Sequence, residues 1–217
     1  MRRDLAAVID HSCLRADATR KDFERVCAEA RHFGFAAVCV NSAHVSLCTT
    51  LVEGALPIAS TVGFPLGASS PAAKSAEARQ AVRDGASEID MVLPIGALKE
   101  GQYERVRRDI EAVVAATDGH PVKVILETCL LSDEEKRRGA ELCVQAGACF
   151  VKTSTGFGSA GATEADVRLL REVVGPDFGV KASAGIRDAE TATRMIAAGA
   201  DRLGTSAGVT IVTEGEE

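Results

Sequence analysis

The sequence predicts one (β/α)8 barrel, the TIM-barrel architecture, with residues 1–217 as a single domain. Three observations point there. Short apolar runs alternate with helical stretches along the whole chain, at intervals of about 20 to 35 residues, the spacing of βα units. Alternation of this kind favours a parallel sheet, and eight units suggest that the sheet closes. An open doubly wound sheet is the competing arrangement, but it calls for a Gly-rich phosphate turn early in the chain, and none follows the first strands. No linker or shift in composition divides the chain.

The units follow in order. Residues 7–12 form the first strand. Residues 19–33 form a helix with Asp17 and Thr19 as candidate caps, an apolar stripe of Phe23, Val26, Cys27 and Ala30, and Gly34 at its end. Residues 36–41 are the second strand and 43–52 its helix. Residues 57–63 are the third strand, followed by a loop from Gly63 to Gly67 and a helix over 71–84 that ends at Gly85. Strand four covers 88–94 and its helix 102–117. Strand five covers 122–127, and Ser132 with Glu135 forms a capping box for a helix closed at Gly147. Strand six is 150–154, with a helix over 163–174 capped by Thr163. Strand seven is 179–183 with a helix over 188–198. Strand eight is 202–205, followed by a short helix from Ser206 or Gly208. Residues 213–217 read as a solvated acidic tail.

Composition narrows the classes. Hydrophobic residues make up 46% and charged residues 26%, as in ordinary globular proteins. There is no Trp, one Tyr and seven Phe, so the core must be aliphatic. The net charge of −6, with no basic block, argues against nucleic acid and anionic membrane as partners and leaves room for a small anionic substrate. The seven cysteines contain no Cys-x-x-Cys pair, and Cys39, Cys129 and Cys149 lie in or beside apolar runs, which suits a reducing cytosol better than a disulfide scaffold. The four His show no ligand spacing, so no metal is expected. Asp4 and Asp10 interrupt the apolar run behind Arg2 and Arg3, and no signal peptide or membrane span is visible; the expected location is the cytoplasm.

Reactive side chains of such barrels lie at the C-terminal ends of the strands. The polar residues there are Asp10, Ser12, Asn41, Thr61, Asp90, Glu127, Lys152, Thr153, Ser154, Lys181, Ser183, Thr205 and Ser206. Asp90, Lys152 and Lys181 stand inside otherwise apolar strands. A buried lysine must shed water, which disfavours its charged form, and a second lysine close by disfavours it further. A partly neutral amine is what Schiff-base chemistry on a carbonyl needs. The bland alternative is two strand-end lysines that reach out to solvent. A buried Asp90 needs partners that the lysines could supply, either as a neutraliser alone or as a proton relay. The loops after strands seven and eight resemble a phosphate cradle. Gly185 and Gly204 allow close backbone approach, Ser206 adds a hydroxyl, Arg187 adds a charge unless it is spent on a surface ion pair, and Thr155 with Gly156 could complete the ring.

These motifs resemble the deoxyribose-phosphate aldolase family. The likeness rests on Val151-Lys152-Thr153-Ser154-Thr155-Gly156, Val180-Lys181-Ala182-Ser183, Ile89-Asp90-Met91-Val92 with Ile95-Gly96-Ala97-Leu98-Lys99, and Leu126-Glu127-Thr128-Cys129-Leu130. It extends to Ile9-Asp10-His11-Ser12 and Gly204-Thr205-Ser206, and so covers nearly the whole chain. It implies a (β/α)8 barrel without metal or cofactor. It also implies reversible cleavage of 2-deoxy-D-ribose 5-phosphate to D-glyceraldehyde 3-phosphate and acetaldehyde. By the same likeness Lys152 is the Schiff-base lysine, Lys181 the second lysine and Asp90 the acid/base carboxylate; the spacing itself does not choose between the lysines. The chain departs from the family pattern at Ala184 (Gly expected), Ala207 (often Ser), Phe157 (often Lys) and Pro94 (often Asn), and its tail has no Tyr. Another Schiff-base barrel aldolase, such as a transaldolase or a keto-acid aldolase, is a second reading. The keto-acid case would need a carboxylate-binding arginine, and only Arg187 is placed for it. A non-catalytic sugar-phosphate binding protein is a third. The chemistry implies sugar phosphate and aldehyde as small-molecule partners, and a homodimer is an assembly that barrels commonly adopt.

Overall fold

A computed structural model describes residues 2–214. Eight parallel strands close into a barrel in chain order, β1 beside β2 and onward until β8 returns to β1. They are β1 (Ile9–Cys13), β2 (Ala37–Asn41), β3 (Ile58–Val62), β4 (Glu88–Val92), β5 (Val122–Ile125), β6 (Phe150–Lys152), β7 (Gly179–Ser183) and β8 (Arg202–Thr205). The register that joins the catalytic candidates is direct: Lys152 pairs with Lys181, Ile125 with Lys152 and Asp90 with Lys123.

The helices are α1 (Arg3–Ala6), α2 (Arg20–Phe33), α3 (Val45–Val52), α4 (Pro71–Arg83), α5 (Ile95–Lys99), α6 (Tyr103–Ala116), α7 (Asp133–Gln145), α8 (Glu164–Val174), α9 (Ala189–Ala197) and α10 (Gly208–Thr213). Their starts follow the caps. The Thr19 amide donates to the Asp22 carboxyl at 2.8 Å, while Asp17 caps nothing. Ser132 and Glu135 form the reciprocal capping box, and Thr163 accepts from the Asp166 amide. Asp188 caps α9 from outside rather than opening it, accepting from the Thr191 amide at 2.7 Å.

The structure corrects several expectations. Strands four, five and six end two residues early, although single backbone hydrogen bonds such as Leu93 N to Ile125 O and Leu126 N to Lys152 O carry the pairing a little further. Helices α1 and α5, of four and five residues, and the 3-10 turns Ser42–His44 and Thr128–Leu130 were not expected; each is too short to show an apolar period. Thr213 belongs to α10, and Glu214 accepts from the Ala189 amide, so neither is a free tail; residues 215–217 lie outside the described residues.

Each strand divides its side chains between two environments. Ile89 and Met91 of β4, Val122 and Val124 of β5, Val151 of β6, Val180 and Ala182 of β7 and Leu203 of β8 join the helices in one aliphatic core. The alternate residues, Asp90, Lys123, Lys152, Lys181 and Arg202, turn into the barrel, where they meet one another. The main hydrophobic core therefore sits between sheet and helices, and the charged side chains gather inside the barrel beside a few apolar ones such as Cys39. No helix among the described residues is long and apolar enough to cross a membrane.

Candidate active site

The barrel interior holds seven charged-type side chains, with the Cys39 thiol 4.0 Å from Asp90 Oδ2 beside them. Lys152 Nζ and Lys181 Nζ both donate to one atom, Asp90 Oδ2, each at 2.7 Å. Lys123 Nζ donates to the other oxygen, Asp90 Oδ1, at 2.9 Å and also pairs with Glu88. Lys181 further pairs with Asp10, which Arg202 holds from the opposite side, its Nε 3.0 Å from Oδ1. Arg202 also reaches Glu88 at 3.3 Å. Four basic side chains thus face three carboxylates deep in the barrel, where Asp10, Asp90 and Lys181 have no exposed surface. Gly204 makes room for this packing. A Cβ there would lie 2.8 Å from Ser183 Cβ and 3.1 Å from Lys181 Cε.

Two of these residues line a cavity. Lys152 and Lys181 stand at the floor of a cavity of about 620 Å³ at the C-terminal end of the barrel. Its wall includes Thr155, Gly156, Gly185, Arg187, Gly204 and Ser206, so the structure brings all six cradle residues to one site. The Thr155 hydroxyl is already engaged, donating to Glu127 and accepting from the Phe157 amide at 3.0 Å. Arg187 is exposed and makes no ion pair among the described residues. Arg15 and Arg25 also line the cavity, held by Asp22, which corrects the expectation that Arg187 is the one arginine placed there.

The departures from the family pattern acquire physical content. Ala184 has φ 68°, a left-handed conformation that Gly adopts freely and that costs a Cβ-bearing residue about 1 kcal/mol. The loop keeps that shape because Ala162 N donates to Ala184 O at 3.0 Å. Phe157, half exposed, meets Phe64 edge-on at 5.4 Å and gives the cavity mouth an apolar lip. Lys99 of the α5 motif stays outside the site, tying Leu130 O and Glu135.

Electrostatics overturn one expectation. Burial by itself disfavours the Lys181 ammonium, but Asp10 and then Asp90 outweigh it and raise its pKa above the usual lysine value. Lys123 is raised for the same reason, with Asp90 the main compensation. Burial would raise Asp10, but Lys181, Lys123 and Arg202 pull it from 3.8 to about 2, and the three lysines hold Asp90 well below the carboxylate range. A depressed carboxyl stabilises the fold above its unfolded pKa and loses that contribution as pH falls through the folded one. Thermal stability should therefore be flat above about pH 5 and fall between about pH 4 and 2, with Asp10 contributing about 2 kcal/mol of the loss. Asp10→Asn should flatten the slope in that window; an unchanged slope in pH-dependent melting would show that Asp10 is not the titrating group. Lys181 has the opposite sign: its contribution persists through neutral pH and is lost only in strong alkali.

Sequence reasoning brought Asp90, Lys152 and Lys181 together but passed over Lys123, Glu88 and Arg202, and gave Asp10 no role. Val122-Lys123-Val124 carries the same signal as Asp90, a charge inside an apolar strand. Glu88 and Arg202 open their strands, where attention to C-terminal ends does not look.

Comparison with known proteins shows the family. A family model described as DeoC/LacD family aldolase matches residues 5–212. Deoxyribose-phosphate aldolase 1 of Bacillus licheniformis is 55% identical over 214 residues, covering 98% of this chain and 96% of that protein. Deoxyribose-phosphate aldolase of Thermococcus gammatolerans is 54% identical, covering 96% of this chain and 95% of its own. Among solved structures, the tetrameric deoxyribose phosphate aldolase of Aeropyrum pernix superposes with a TM-score of 0.93 at 33% identity, over 99% of this chain and 92% of that one. A match that spans nearly all of the chain, with relatives more than half identical, places this protein in the DeoC/LacD aldolase family.

Proposed function

We propose that Lys152 forms the Schiff base of a class I aldolase and that Asp90 and Lys181 move its protons. The activity is that of a deoxyribose-phosphate aldolase, a carbon–carbon lyase that reversibly cleaves 2-deoxy-D-ribose 5-phosphate. The observation that carries the assignment of roles is the shared oxygen: two lysine amines from the cavity lining, each 2.7 Å from Asp90 Oδ2.

The uncharged Lys152 amine adds to the C1 aldehyde of the open-chain sugar, and loss of water leaves an iminium. Products of two and three carbons require the C2–C3 bond to break. Its electron pair flows toward the iminium nitrogen to give an enamine, while the C3 hydroxyl loses its proton and becomes the aldehyde of glyceraldehyde 3-phosphate. Protonation of the enamine at C2 and hydrolysis release acetaldehyde and the free amine. Asp90 Oδ2, hydrogen-bonded to both amines, offers a path by which a proton passes between Lys152 and Lys181. Lys181, cationic beside Asp10 and Asp90, supplies a fixed positive charge and a donor near the reacting atoms. Of the two lysines, Lys181 has two carboxylate partners and Lys152 one, which favours Lys152 as nucleophile.

The phosphate would lie against the backbone at 156, 185 and 204–206 with Arg187 at its side, and its binding energy would orient the carbonyl over Lys152. All the residues named come from one chain, so a homodimer, if formed, need not complete the site. Seven thiols with no disulfide between them suit the reducing cytoplasm. The test is borohydride reduction in the presence of acetaldehyde, followed by peptide mass spectrometry. A reduced ethyl adduct on Lys152 is expected. An adduct on Lys181 would exchange the two roles, and no adduct on folded protein would leave a sugar-phosphate binding protein.

A further inference from the structure

Glu127 lies beyond the end of β5 and takes no part in the charge cluster. Its backbone is left-handed, φ 58° and ψ 65°, a conformation that costs a residue with a Cβ and persists only where its surroundings enforce it. The residue is 3% exposed, and no cation lies within ion-pair distance of its carboxyl group among the described residues. A buried carboxyl without an ion pair must be held by hydrogen bonds. The donors all belong to neighbouring loops. The Thr155 amide donates to Oε1 at 3.2 Å, the Thr155 hydroxyl donates to Oε2, and the Cys129 thiol lies 3.8 Å from Oε1. Gly158 seals the arrangement: a Cβ there would stand 3.1 Å from Glu127 Cδ and 2.8 Å from Cys129 Sγ.

The backbone beside this contact continues the pairing of β5 with β6 beyond both strands. Leu126 N donates to Lys152 O and Thr128 N to Thr153 O, each at 3.0 Å. Glu127 falls between them, and its left-handed turn swings the side chain across to the loop that follows β6. That loop starts directly after Lys152, the last residue of β6, and supplies Thr155, Gly156 and Phe157 to the cavity wall. Through Thr155, whose hydroxyl then accepts from the Phe157 amide, one carboxyl group sets the path of the whole segment.

We infer that Glu127 is the positioning residue that fixes the loop between β6 and α8 as a wall of the substrate cavity, acting through Thr155. The inference rests on the aldolase reading, with the substrate phosphate against this loop. Glu127 touches neither the reacting carbonyl nor Lys152, so its loss should act on substrate binding and leave amine chemistry in place.

The experiment compares wild type, Glu127→Ala, Glu127→Gln, Thr155→Val and the Glu127→Ala/Thr155→Val double variant. Each is measured for KM and kcat with 2-deoxyribose 5-phosphate and for borohydride trapping of acetaldehyde on Lys152. Loss of a hydrogen bond to a charged group corresponds to about tenfold or more. Glu127→Ala should therefore raise KM about tenfold, with kcat and trapping within about threefold of wild type. Glu127→Gln keeps an acceptor for the Thr155 amide but not for the hydroxyl, and should recover part of the loss. In the Thr155→Val background Glu127→Ala should add less than about twofold, because the two act as one unit. An unchanged KM in the alanine variant, or full additivity in the double variant, overturns the inference while leaving the aldolase reading intact. If Glu127→Ala does not fold, an unchanged KM in Glu127→Gln overturns it equally. Wild type that cannot be labelled on Lys152 removes both.

Discussion

Replacing Lys152 by alanine should lower kcat/KM by at least about 10⁴-fold, to the level of background, with the barrel still folded. The loss is that of the covalent step itself, since no other amine takes the same position. Lys181 lines the same cavity but is fully buried, Asp10 and Asp90 hold its proton and Gly204 packs against its stem, so it is not free to substitute. Arginine at 152 should fail as well, because a guanidinium keeps its charge and cannot act as the nucleophile. Stability should change little or rise. The substitution removes one of four cations, and Asp90 retains Lys123 at 2.9 Å and Lys181 at 2.7 Å as partners. The check is a steady-state assay coupled to glyceraldehyde 3-phosphate, with a urea melt of the same preparation. Activity within tenfold of wild type would exclude Lys152 as the Schiff-base residue.

The parts of this molecule that could be read from the chain are those set locally. Strand and helix order follows from apolar periodicity and caps, and Asp90, Lys152 and Lys181 announce themselves as charges inside buried strands. What escaped reading is set by closure of the barrel. Asp10 and Lys181 are 171 positions apart and meet because β8 pairs back to β1. Without that contact the sequence argument sees two lysines repelling each other, and expects both to favour the neutral amine. With it, Lys181 is neutralised by two carboxylates and shifts the other way. Arg202 and Glu88 are likewise invisible as partners until β4 and β8 face each other across the interior. The left-handed backbone at Glu127 has no compositional mark, since such positions usually announce themselves with Gly, Asn or Asp. Ala184 shows the converse: the family likeness expects Gly there, and the positive φ supplies the reason.

Asp90→Asn should be the most damaging single change to both fold and turnover. One carboxyl group accepts from three lysines, Lys123 on Oδ1 and Lys152 with Lys181 on Oδ2. Removing its charge leaves four buried cations facing Asp10 and Glu88 alone. Breaking a buried ion pair by deleting one partner costs about 3–5 kcal/mol, because the remaining charge stays desolvated, and here the deletion strands two amines on a single oxygen. The asparagine amide would also turn N–H groups toward lysine amines that donate to this position. Urea denaturation at neutral pH should show a loss of that size. Activity addresses a separate question, since Asp90 could act as a neutraliser alone or also pass protons between the lysines. A general acid–base group contributes about 10²–10⁴-fold, so kcat measured under conditions where the variant remains folded should fall by at least the lower figure. A stability loss with kcat within tenfold of wild type would confine Asp90 to neutralisation and transfer the proton path to Lys181 and water.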